Sequence, residues 1–323
     1  MITRRIFAAI AAASTFAPLL VGRAALALAW PTRFVRFVVP FPAGVAPDVG
    51  CRVLTARLSE IWGQQAVVEN KPGAGGNIGT EMVARSAPDG YTVLMAAFTH
   101  AVNVFLYRST GYDPVTDFVP VTLLSRQPCV MVVPNSSLAR SVADFISYAK
   151  ANHGKISYAS SGHGTSPHLC AELFKRMAGI EMTHVPYRSG AQQDLIAGHV
   201  DVMFAVAPFD LLRAGHARGL AVTTAERVAA APELPTLAES GLPGFDVAPW
   251  WGLFLPAWTA PAIVAKLHAD AIAVLAEPET QKRMQDLGSI PVGSTPEELT
   301  QYLQTEMAKW GPFIRDANIR LDG

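Results

Sequence analysis

Short apolar runs rich in β-branched residues alternate along this chain with longer segments whose apolar residues recur every three or four positions. The first pattern is typical of buried β-strands and the second of amphipathic helices. Strands are predicted at residues 35–39, 66–69, 91–95, 130–133, 156–159, 182–185, 200–204 and 219–223, and around Trp250 and Trp251. Helices are predicted at residues 48–62, after a cap at Ser141, from Ser166 onward, and at 261–276 and 296–316.

This alternation predicts an α/β protein in which helices flank parallel strands. A coarse duplication is also present, because near Pro40 and again near Ser160 a buried strand runs through small residues into a helix. One such unit in each half of the chain predicts two lobes. Ligands of open α/β sheets bind where strands end and helices begin, so we expect a ligand between the lobes.

The first 29 residues have the features of a signal peptide. Arg4 and Arg5 precede an Ala-rich apolar stretch, and the small residues Ala27 and Ala29 stand just before Trp30. We therefore expect cleavage after Ala29 and export to the periplasm. The paired arginines leave two export routes open, the general secretory route and the twin-arginine route.

Acidic and basic residues balance at 26 each, so the formal net charge is zero. This balance argues against a nucleic-acid partner and against binding to an anionic membrane surface. An anionic ligand would then be held by helix ends and backbone amides. The three cysteines are far apart and are predicted to be buried apolar residues, and neither histidines nor acids show the spacing of a metal site. We expect neither a metal nor a cofactor.

Two loops carry the predicted chemistry: residues 40–48, here called the first loop, and residues 160–166, here called the second loop. Each joins a predicted strand to a helix N-terminus, where unpaired N–H groups and a partial positive charge favour an anion. Small residues such as Gly44 and Gly162 let an anion approach the backbone, and the second loop adds hydroxyl groups. Facing each other, the two loops could hold a dicarboxylate without Lys or Arg. Ordinary capped connections remain an alternative explanation for both.

Three further features have competing interpretations. The Gly-rich segment at 70–79 is similar to a dinucleotide-binding loop, but Ile78 occupies the place of the third glycine, which favours a tight structural turn. Ser161 or Ser166 with a histidine suggests an exported hydrolase as an alternative function, although no G-x-S-x-G motif is present. His184 is interpreted as a core residue, while His100 lies either at the rim of the cleft or in the core.

Motifs of one known family occur in order along the whole chain. They include V-P-F-P-A-G at 39–44, V-E-N-K-P-G-A-G-G-N-I-G at 68–79 and A-P-D-G-Y-T at 87–92. Shorter matches occur at 30–32, 158–162, 184–188, 234–236 and 252–254. Through these motifs the sequence resembles the substrate-binding receptors of tripartite tricarboxylate transporters, often called Bug receptors.

The resemblance implies a type II periplasmic binding protein fold, with two Rossmann-like lobes joined by crossing hinge strands. It implies a solute receptor and not an enzyme, with a dicarboxylate, tricarboxylate, acidic amino acid or aromatic acid as ligand. Membrane subunits of a tripartite tricarboxylate transporter are the implied partners, and we expect a monomer. The first lobe is expected at 30–125 and 246–323, and the second at 126–245. The residues expected to contact the ligand are Phe41, Ala43, Gly44, Val45, Ala46, Asp48, Ser160, Ser161, Gly162, Gly164, Thr165, Ser166, Tyr187 and Phe204.

Several departures from the family pattern distinguish this chain. Val45 replaces a glycine, and Pro47 removes both an N–H donor and a hydroxyl group from the first loop. The residues after Phe204 are apolar where the family has polar ones, and Trp258 stands where the family usually has glycine. We therefore expect a less polar pocket, and a ligand with one carboxylate and an apolar or aromatic remainder.

Overall fold

The structure, a computed structural model, describes residues 30–187 and 189–321. The predicted signal peptide lies outside the described residues. Two β-sheets and their flanking helices make up the described chain, which confirms the predicted α/β class. Within the described ranges, no helix is both long enough and apolar enough to span a bilayer.

The predicted elements are present with shifts of a few residues, and the structure adds others, among them the nine-residue strand Phe118–Arg126. The strands in chain order are β1 (Val35–Val39), β2 (Ala66–Asn70), β3 (Thr92–Ala97), β4 (Phe118–Arg126), β5 (Cys129–Pro134), β6 (Ser157–Ser160), β7 (Thr183–Pro186), β8 (Val202–Val206), β9 (Ala217–Val222), β10 (Trp250–Pro256) and β11 (Ile290–Pro291). The helices are α1 (Ala46–Trp62), α2 (Asn77–Ala84), α3 (Thr99–Leu106), α4 (Val142–Ala151), α5 (Ser166–Ala178), α6 (Ala191–Ala197), α7 (Phe209–Arg213), α8 (Pro261–Ala276), α9 (Pro278–Asp286) and α10 (Pro296–Asp316). A 3₁₀ turn spans Ala74–Gly76.

The chain crosses between the two sheets twice. The first sheet has the strand order β11-β4-β10-β3-β1-β2, and the second has the order β7-β6-β8-β5-β9. The first crossing leads from β4 to β5, and the second leads back into β10. The two crossings lie side by side, because the backbone N–H of Gln127 donates to the carbonyl of Pro249 at 2.7 Å. These paired crossings are the hinge strands that the family resemblance implied.

The sheets are mixed, whereas the alternation of elements predicted parallel ones. Strands β1, β2 and β3 run parallel to one another in the first sheet, as do β6, β7 and β8 in the second. The strand that enters each sheet directly after a crossing runs the other way: β10 is antiparallel to β3, and β5 is antiparallel to β8. The crossings explain the difference, since a strand arriving from the other lobe is inserted between existing strands from the opposite end.

Alternating side chains of the buried strands form three apolar layers. On β8, Phe204 faces a central cluster that includes residues of both sheets, and Met203 faces an outer cluster on the second sheet. On β3, Leu94 faces the same central cluster, and Met95 faces an outer cluster on the first sheet. This period of two is what strands buried on both faces require. The three cysteines are free and buried, as predicted, and Cys51 and Cys170 belong to these clusters.

The start of α1 differs from its prediction, while two later helices match. Asp48 was expected to cap α1, but the helix begins at Ala46, and Val45 is the N-cap residue without a side-chain bond. Helices α8 and α10 have the predicted bounds. The predicted cap at Ser141 is confirmed, because its hydroxyl accepts from the backbone N–H of Asp144 at 3.1 Å.

Candidate functional site

The first loop leaves β1 at Val39 and enters α1 at Ala46, at the end of the sheet where parallel strands finish. Phe41 is half-buried, whereas the backbone from 42 to 45, including Ala43, Gly44 and Val45, is exposed. Among the residues that the structure describes, no side chain caps the N-terminus of α1, and Pro47 lacks an N–H group. The backbone N–H groups of Ala46 and Asp48 are therefore the donors that this helix end offers.

The Asp48 carboxylate stabilises the conformation of the first loop. Its buried carboxylate accepts from the backbone N–H of Gly44 at 2.8 Å, from Asn70 Nδ2 at 2.9 Å and from Arg52 Nε at 3.1 Å. Asn70 also donates to the carbonyl of Phe41 at 3.0 Å. Burial by itself would raise the pKa of Asp48, but the bonds from Arg52, Gly44 and Asn70 outweigh it and lower the pKa. Because these donors from the loop, α1 and β2 engage its oxygens, this carboxylate positions the backbone of the first loop.

The second loop connects β6 to α5 and is folded by its own hydroxyl groups. Thr165 is the N-cap residue of α5, yet its Oγ1 donates to the carbonyl of Gly162 at 2.7 Å and does not cap the helix. The buried Ser160 Oγ accepts from the backbone N–H of Gly162 at 3.1 Å. Ser161 is exposed and Ser166 is half-buried. The N-terminus of α5 thus keeps free N–H groups, as an anion site requires.

Gly164 links the second loop to the first lobe. Its φ is +74°, and a Cβ atom there would lie 2.9 Å from Cδ1 of Leu106, which ends α3, and 2.8 Å from Cδ1 of Leu321. Both the backbone angle and the lack of space therefore require glycine. Tyr107, which follows the last residue of α3, approaches the Gly-rich turn. A Cβ atom on Gly75 would lie 2.8 Å from the hydroxyl of Tyr107.

The same Gly-rich turn reaches the first loop from its other side. A Cβ on Gly76 would lie 3.4 Å from the carbonyl oxygen of Pro40 and 3.6 Å from Cε1 of Phe41. The contacts run from the first loop through the turn at Ala74–Gly76 and the end of α3 to Gly164. A continuous series of contacts therefore connects the two loops. The turn packs against protein on these sides, which agrees with its interpretation as a structural turn.

A cavity of about 220 Å³ lies beside the second loop. Ser161 and Tyr187 line it, together with Met203 and residues at the start of α6. The hydroxyl of Tyr187 donates to Asp194 Oδ2 at 2.6 Å, which fixes the ring. Phe204 was expected to contribute to the pocket, but its side chain is fully buried and packs 5.3 Å from the ring of Phe174. Because β8 is pleated, its neighbour Met203 faces the cavity instead.

The structure corrects the expectation that histidines do not cluster. His163 of the second loop, His168 of α5 and His184 of β7 each offer a ring nitrogen within 4.8 Å of the other two. His163 is exposed, His168 is buried and His184 is half-buried. The spacing along the chain hid this cluster, since β7 meets β6 only through sheet pairing. The H-x₄-H spacing of His163 and His168 was the one available signal.

Two of these histidines bond to the second loop. Ser160 Oγ lies 2.6 Å from His184 Nε2, and the N–H of Gly164 donates to His168 Nδ1 at 3.1 Å. Burial is the main cause that lowers the pKa of His168 to about 3 and that of His184 to about 4, with a further contribution from neighbouring histidines. Both rings are therefore neutral at pH 7. His184 was expected to be a core residue, but it is half-buried and lies within hydrogen-bond distance of Ser160 of the second loop.

The hydrolase alternative finds no support in this geometry. Neither Ser161 nor Ser166 forms a hydrogen bond with a histidine in the described part of the chain. The serine that does so, Ser160, is fully buried, and Nδ1 of its partner His184 has no hydrogen-bond partner among the described residues. A nucleophile must reach its substrate, and its base is normally oriented by a third group. His100, whose placement was open, lies in the core beside Tyr112 and Phe118.

Several solved structures share this fold. Rpa4515 of R. palustris with adipate is 40% identical, with a TM-score of 0.81 over 90% of this chain and 100% of that one. The periplasmic binding protein BugD is 34% identical, with a TM-score of 0.79 over 90% and 100%. MatC from Rhodopseudomonas palustris with bound malate is 33% identical, with a TM-score of 0.77 over 88% and 99%. Together with the two crossed sheets, these likenesses define a periplasmic solute-binding protein, which is not an enzyme.

The family follows from the sequence comparisons. Residues 51–319 match the model described as "Tripartite tricarboxylate transporter family receptor". The chain is also 39% identical over 316 residues to a protein from the tcbD–tcbE intergenic region of a Pseudomonas species, covering 96% of this chain and 93% of that protein. The chain belongs to the tripartite tricarboxylate transporter receptor family, as its motifs indicated.

Proposed function

We propose that this receptor binds a small carboxylate between its lobes, with the first and second loops as the anion-binding elements. The observation that supports the proposal is that two strand–loop–helix units are connected by contacts through the turn at Ala74–Gly76 and the end of α3. Neither loop contains Lys or Arg. Backbone N–H groups at the ends of α1 and α5, and hydroxyl groups of the second loop, would then bind the carboxylate.

The ligand that this pocket favours has one carboxylate and an apolar or aromatic remainder. The second loop supplies the polar contacts through Ser161, Thr165 and neighbouring amides. The first loop supplies apolar surface through Phe41 and Val45, and Pro47 removes one donor from its helix end. The relatives bound to adipate and to malate support a carboxylate as the recognised group. Tight binding of citrate, with no binding of aromatic acids, would contradict this ligand class.

Binding would close the lobes about the paired crossing segments. We infer that the first lobe comprises residues 30–125 and 246–323 and the second residues 126–245. The ligand would stabilise the closed form through contacts that exist only when both loops reach it. The closed receptor, a monomer exported with the help of its N-terminal signal, would deliver the ligand to the membrane subunits of a tripartite transporter.

A panel of organic acids tests the proposal directly. The mature chain is screened by thermal shift against adipate, malate, citrate, benzoate and glutamate, and hits are measured by calorimetry. An acid at 100 times its dissociation constant should stabilise the folded protein by about 2.7 kcal/mol. A complete absence of binding across mono-, di- and tricarboxylates would overturn the carboxylate assignment.

Thr165 provides the test of the second loop. On binding, we expect its hydroxyl to turn from the carbonyl of Gly162 toward the carboxylate. Thr165→Val should weaken the best acid by about 1–2 kcal/mol, because a hydroxyl hydrogen bond to a charged group is lost. Thr165→Ser keeps the hydroxyl and is the matched control, for which binding should stay near the wild-type value. Equal affinities for all three proteins would remove Thr165 from the site.

A further inference from the structure

The cluster of His163, His168 and His184 is not explained by carboxylate binding alone. One nitrogen from each ring lies within 4.8 Å of a nitrogen of both others. Nδ1 of His184 is buried and has no hydrogen-bond partner among the described residues. A buried polar atom without a partner is costly, and in native proteins such an atom calls for an explanation such as a missing ion.

We propose that His163, His168 and His184 form a binding site for a divalent transition-metal ion of the zinc type. Imidazole nitrogens suit zinc, copper and nickel, and three protein ligands with one open position are typical of zinc sites that bind a further molecule. The three ligands come from the second loop, from α5 and from β7. The proposed metal site therefore lies at the second loop and α5, which belong to the strand–loop–helix unit that is proposed to bind the carboxylate.

His184 already has the environment of a metal ligand. When its Nε2 carries the proton, that N–H donates to Ser160 Oγ over 2.6 Å, and the lone pair of Nδ1 remains for the ion. Ser160 Oγ can then donate to the carbonyl of Gly162 at 3.2 Å. A histidine ligand whose second nitrogen donates to the protein is the usual arrangement, because that bond fixes the orientation of the ring.

Metal binding requires the cluster to contract. Zinc–nitrogen distances of about 2.0–2.1 Å in a tetrahedral site bring ligand nitrogens to roughly 3.3–3.4 Å from one another. His163 is the ring that can supply most of this movement, because it is exposed and lies in the loop, whereas His168 is buried in α5. The ring centre of His163 lies 5.4 Å from the ring centre of His168 and 4.7 Å from that of His184.

Binding at His168 would change the second loop as well. Its Nδ1 now accepts from the N–H of Gly164 at 3.1 Å. Coordination through Nδ1 uses this lone pair, and coordination of neutral His168 through Nε2 places the proton on Nδ1. In either case the N–H of Gly164 loses its acceptor and becomes available to an anion. If the proposed function holds, metal binding and carboxylate binding are therefore coupled. The carboxylate occupies the open coordination position of the ion and binds more tightly when the ion is present.

The first experiment uses the metal alone. The untagged mature chain is stripped with chelator and titrated with Zn²⁺ by calorimetry, and Co²⁺ is added as a visible-absorption probe. We expect one tight site per chain and the intense visible bands of four-coordinate Co²⁺. His163→Ala should weaken Zn²⁺ binding at least tenfold, and His153→Ala, which removes an exposed histidine elsewhere, is the matched control with unchanged affinity. No one-to-one binding, or equal affinities in both variants, would overturn the site.

The second experiment separates this inference from the proposed function. Adipate and benzoate are titrated into the chelated protein and into the Zn²⁺-loaded protein, with circular dichroism confirming the fold of each variant. Tighter carboxylate binding in the Zn²⁺ form, lost in His163→Ala, is the expected result. Carboxylate binding without any Zn²⁺ binding refutes the metal site and leaves the proposed function standing. Zn²⁺ binding without any carboxylate binding refutes the proposed function and leaves the metal site standing. Equal carboxylate affinities in the chelated and Zn²⁺-loaded proteins refute the coupling.

Discussion

At the scale of single residues, backbone conformation decides where glycine is required. Gly164 has a φ of +74° and its Cβ position is filled by leucine side chains, so two independent reasons exclude other residues. Gly44 has a φ of +87°, but its Cβ position is open, so only the backbone angle constrains it. Trp258 also has a positive φ, at +68°, although it carries a large side chain. Glycine is the residue that this backbone angle favours.

Replacing Trp258 with glycine should therefore stabilise the protein. A left-handed conformation costs an L-residue about 1–2 kcal/mol, and the greater freedom of glycine in the unfolded chain offsets part of that gain. The indole is 91% exposed, so its removal costs little packing. We expect the free energy of unfolding, measured with urea, to rise by about 0.5–1 kcal/mol. Trp258→Ala keeps the strain and should give no gain, so equal effects of the two substitutions would contradict this account.

His100 gives the protein a defined sensitivity to acid. Burial is the first cause that lowers its pKa to about 4, and the carbonyl of Pro114 and the charge of Asp113 oppose that effect only in part. Its unfolded pKa is about 6.5. Between these values the unfolded chain binds a proton that the folded protein does not, so the stability contributed by neutral His100 is present above pH 6.5 and is lost as the pH falls toward 4.

The matching measurement is the free energy of unfolding from pH 7.5 down to 4.5. In His100→Phe the dependence should be shallower by up to about 1.4 kcal/mol per pH unit, since one titrating group has been removed. The phenyl ring fits among Tyr112, Phe118 and Phe254, which surround the imidazole. His153→Ala is the surface control and should keep the wild-type slope. An unchanged slope in His100→Phe would show that His100 is not the group responsible.

At the scale of elements, the hydrogen bond between Asp48 and Gly44 stabilises the first loop, whereas the predicted N-cap at Asp48 is not formed. Asp48 was expected to start α1, because aspartate is a common N-cap residue. In the structure it lies in the first turn and reaches back to the N–H of Gly44, so the helix starts earlier at Ala46. Asp48→Asn should cost about 1.5–3 kcal/mol in unfolding free energy, because several bonds to a buried charge are weakened together.

Asp89→Asn is the control for this prediction. The Asp89 carboxylate also bonds an arginine, Arg33, at 3.0 Å, but both side chains are about half exposed. Exposed ion pairs contribute about 0–1 kcal/mol, so this variant should remain close to the wild type in urea unfolding. A loss in Asp48→Asn no larger than that in Asp89→Asn would mean that the loop does not depend on its buried carboxylate.

Periodicity located most of the elements and both loops, but it could not place residues from separate strands side by side. The strands 35–39 and 130–133 could be predicted because their apolar runs are short and β-branched, and α8 and α10 because their apolar residues repeat with helical spacing. The antiparallel entry of β5 and β10 depends on the crossings between sheets, which no local pattern encodes. The histidine cluster depends on the pairing of β6 with β7, and the orientation of Phe204 depends on the pleat of β8.

At the scale of the whole molecule, the two lobes share one apolar cluster. Leu94 of the first sheet and Phe204 of the second belong to the same central layer, and α10 contributes Trp310 to it. Helix α10 also meets the second lobe at its surface, where Arg176 of α5 pairs with Asp316 at 3.3 Å. The two sheets should therefore be coupled in stability, because part of the core belongs to both.

Trp310→Ala tests this coupling. The indole is fully buried, lies 5.4 Å from the ring of Phe98 and 5.7 Å from that of Phe313, and leaves a cavity when removed. We expect a loss of about 3–5 kcal/mol, as for other buried aromatic residues changed to alanine. Hydrogen exchange should accelerate by the same factor in β3 of the first sheet and in β8 of the second, with a single calorimetric transition. Leu138→Ala, at a site 84% exposed, should change neither quantity. Faster exchange confined to β3 would mean that the lobes unfold independently, and that the central cluster does not couple them.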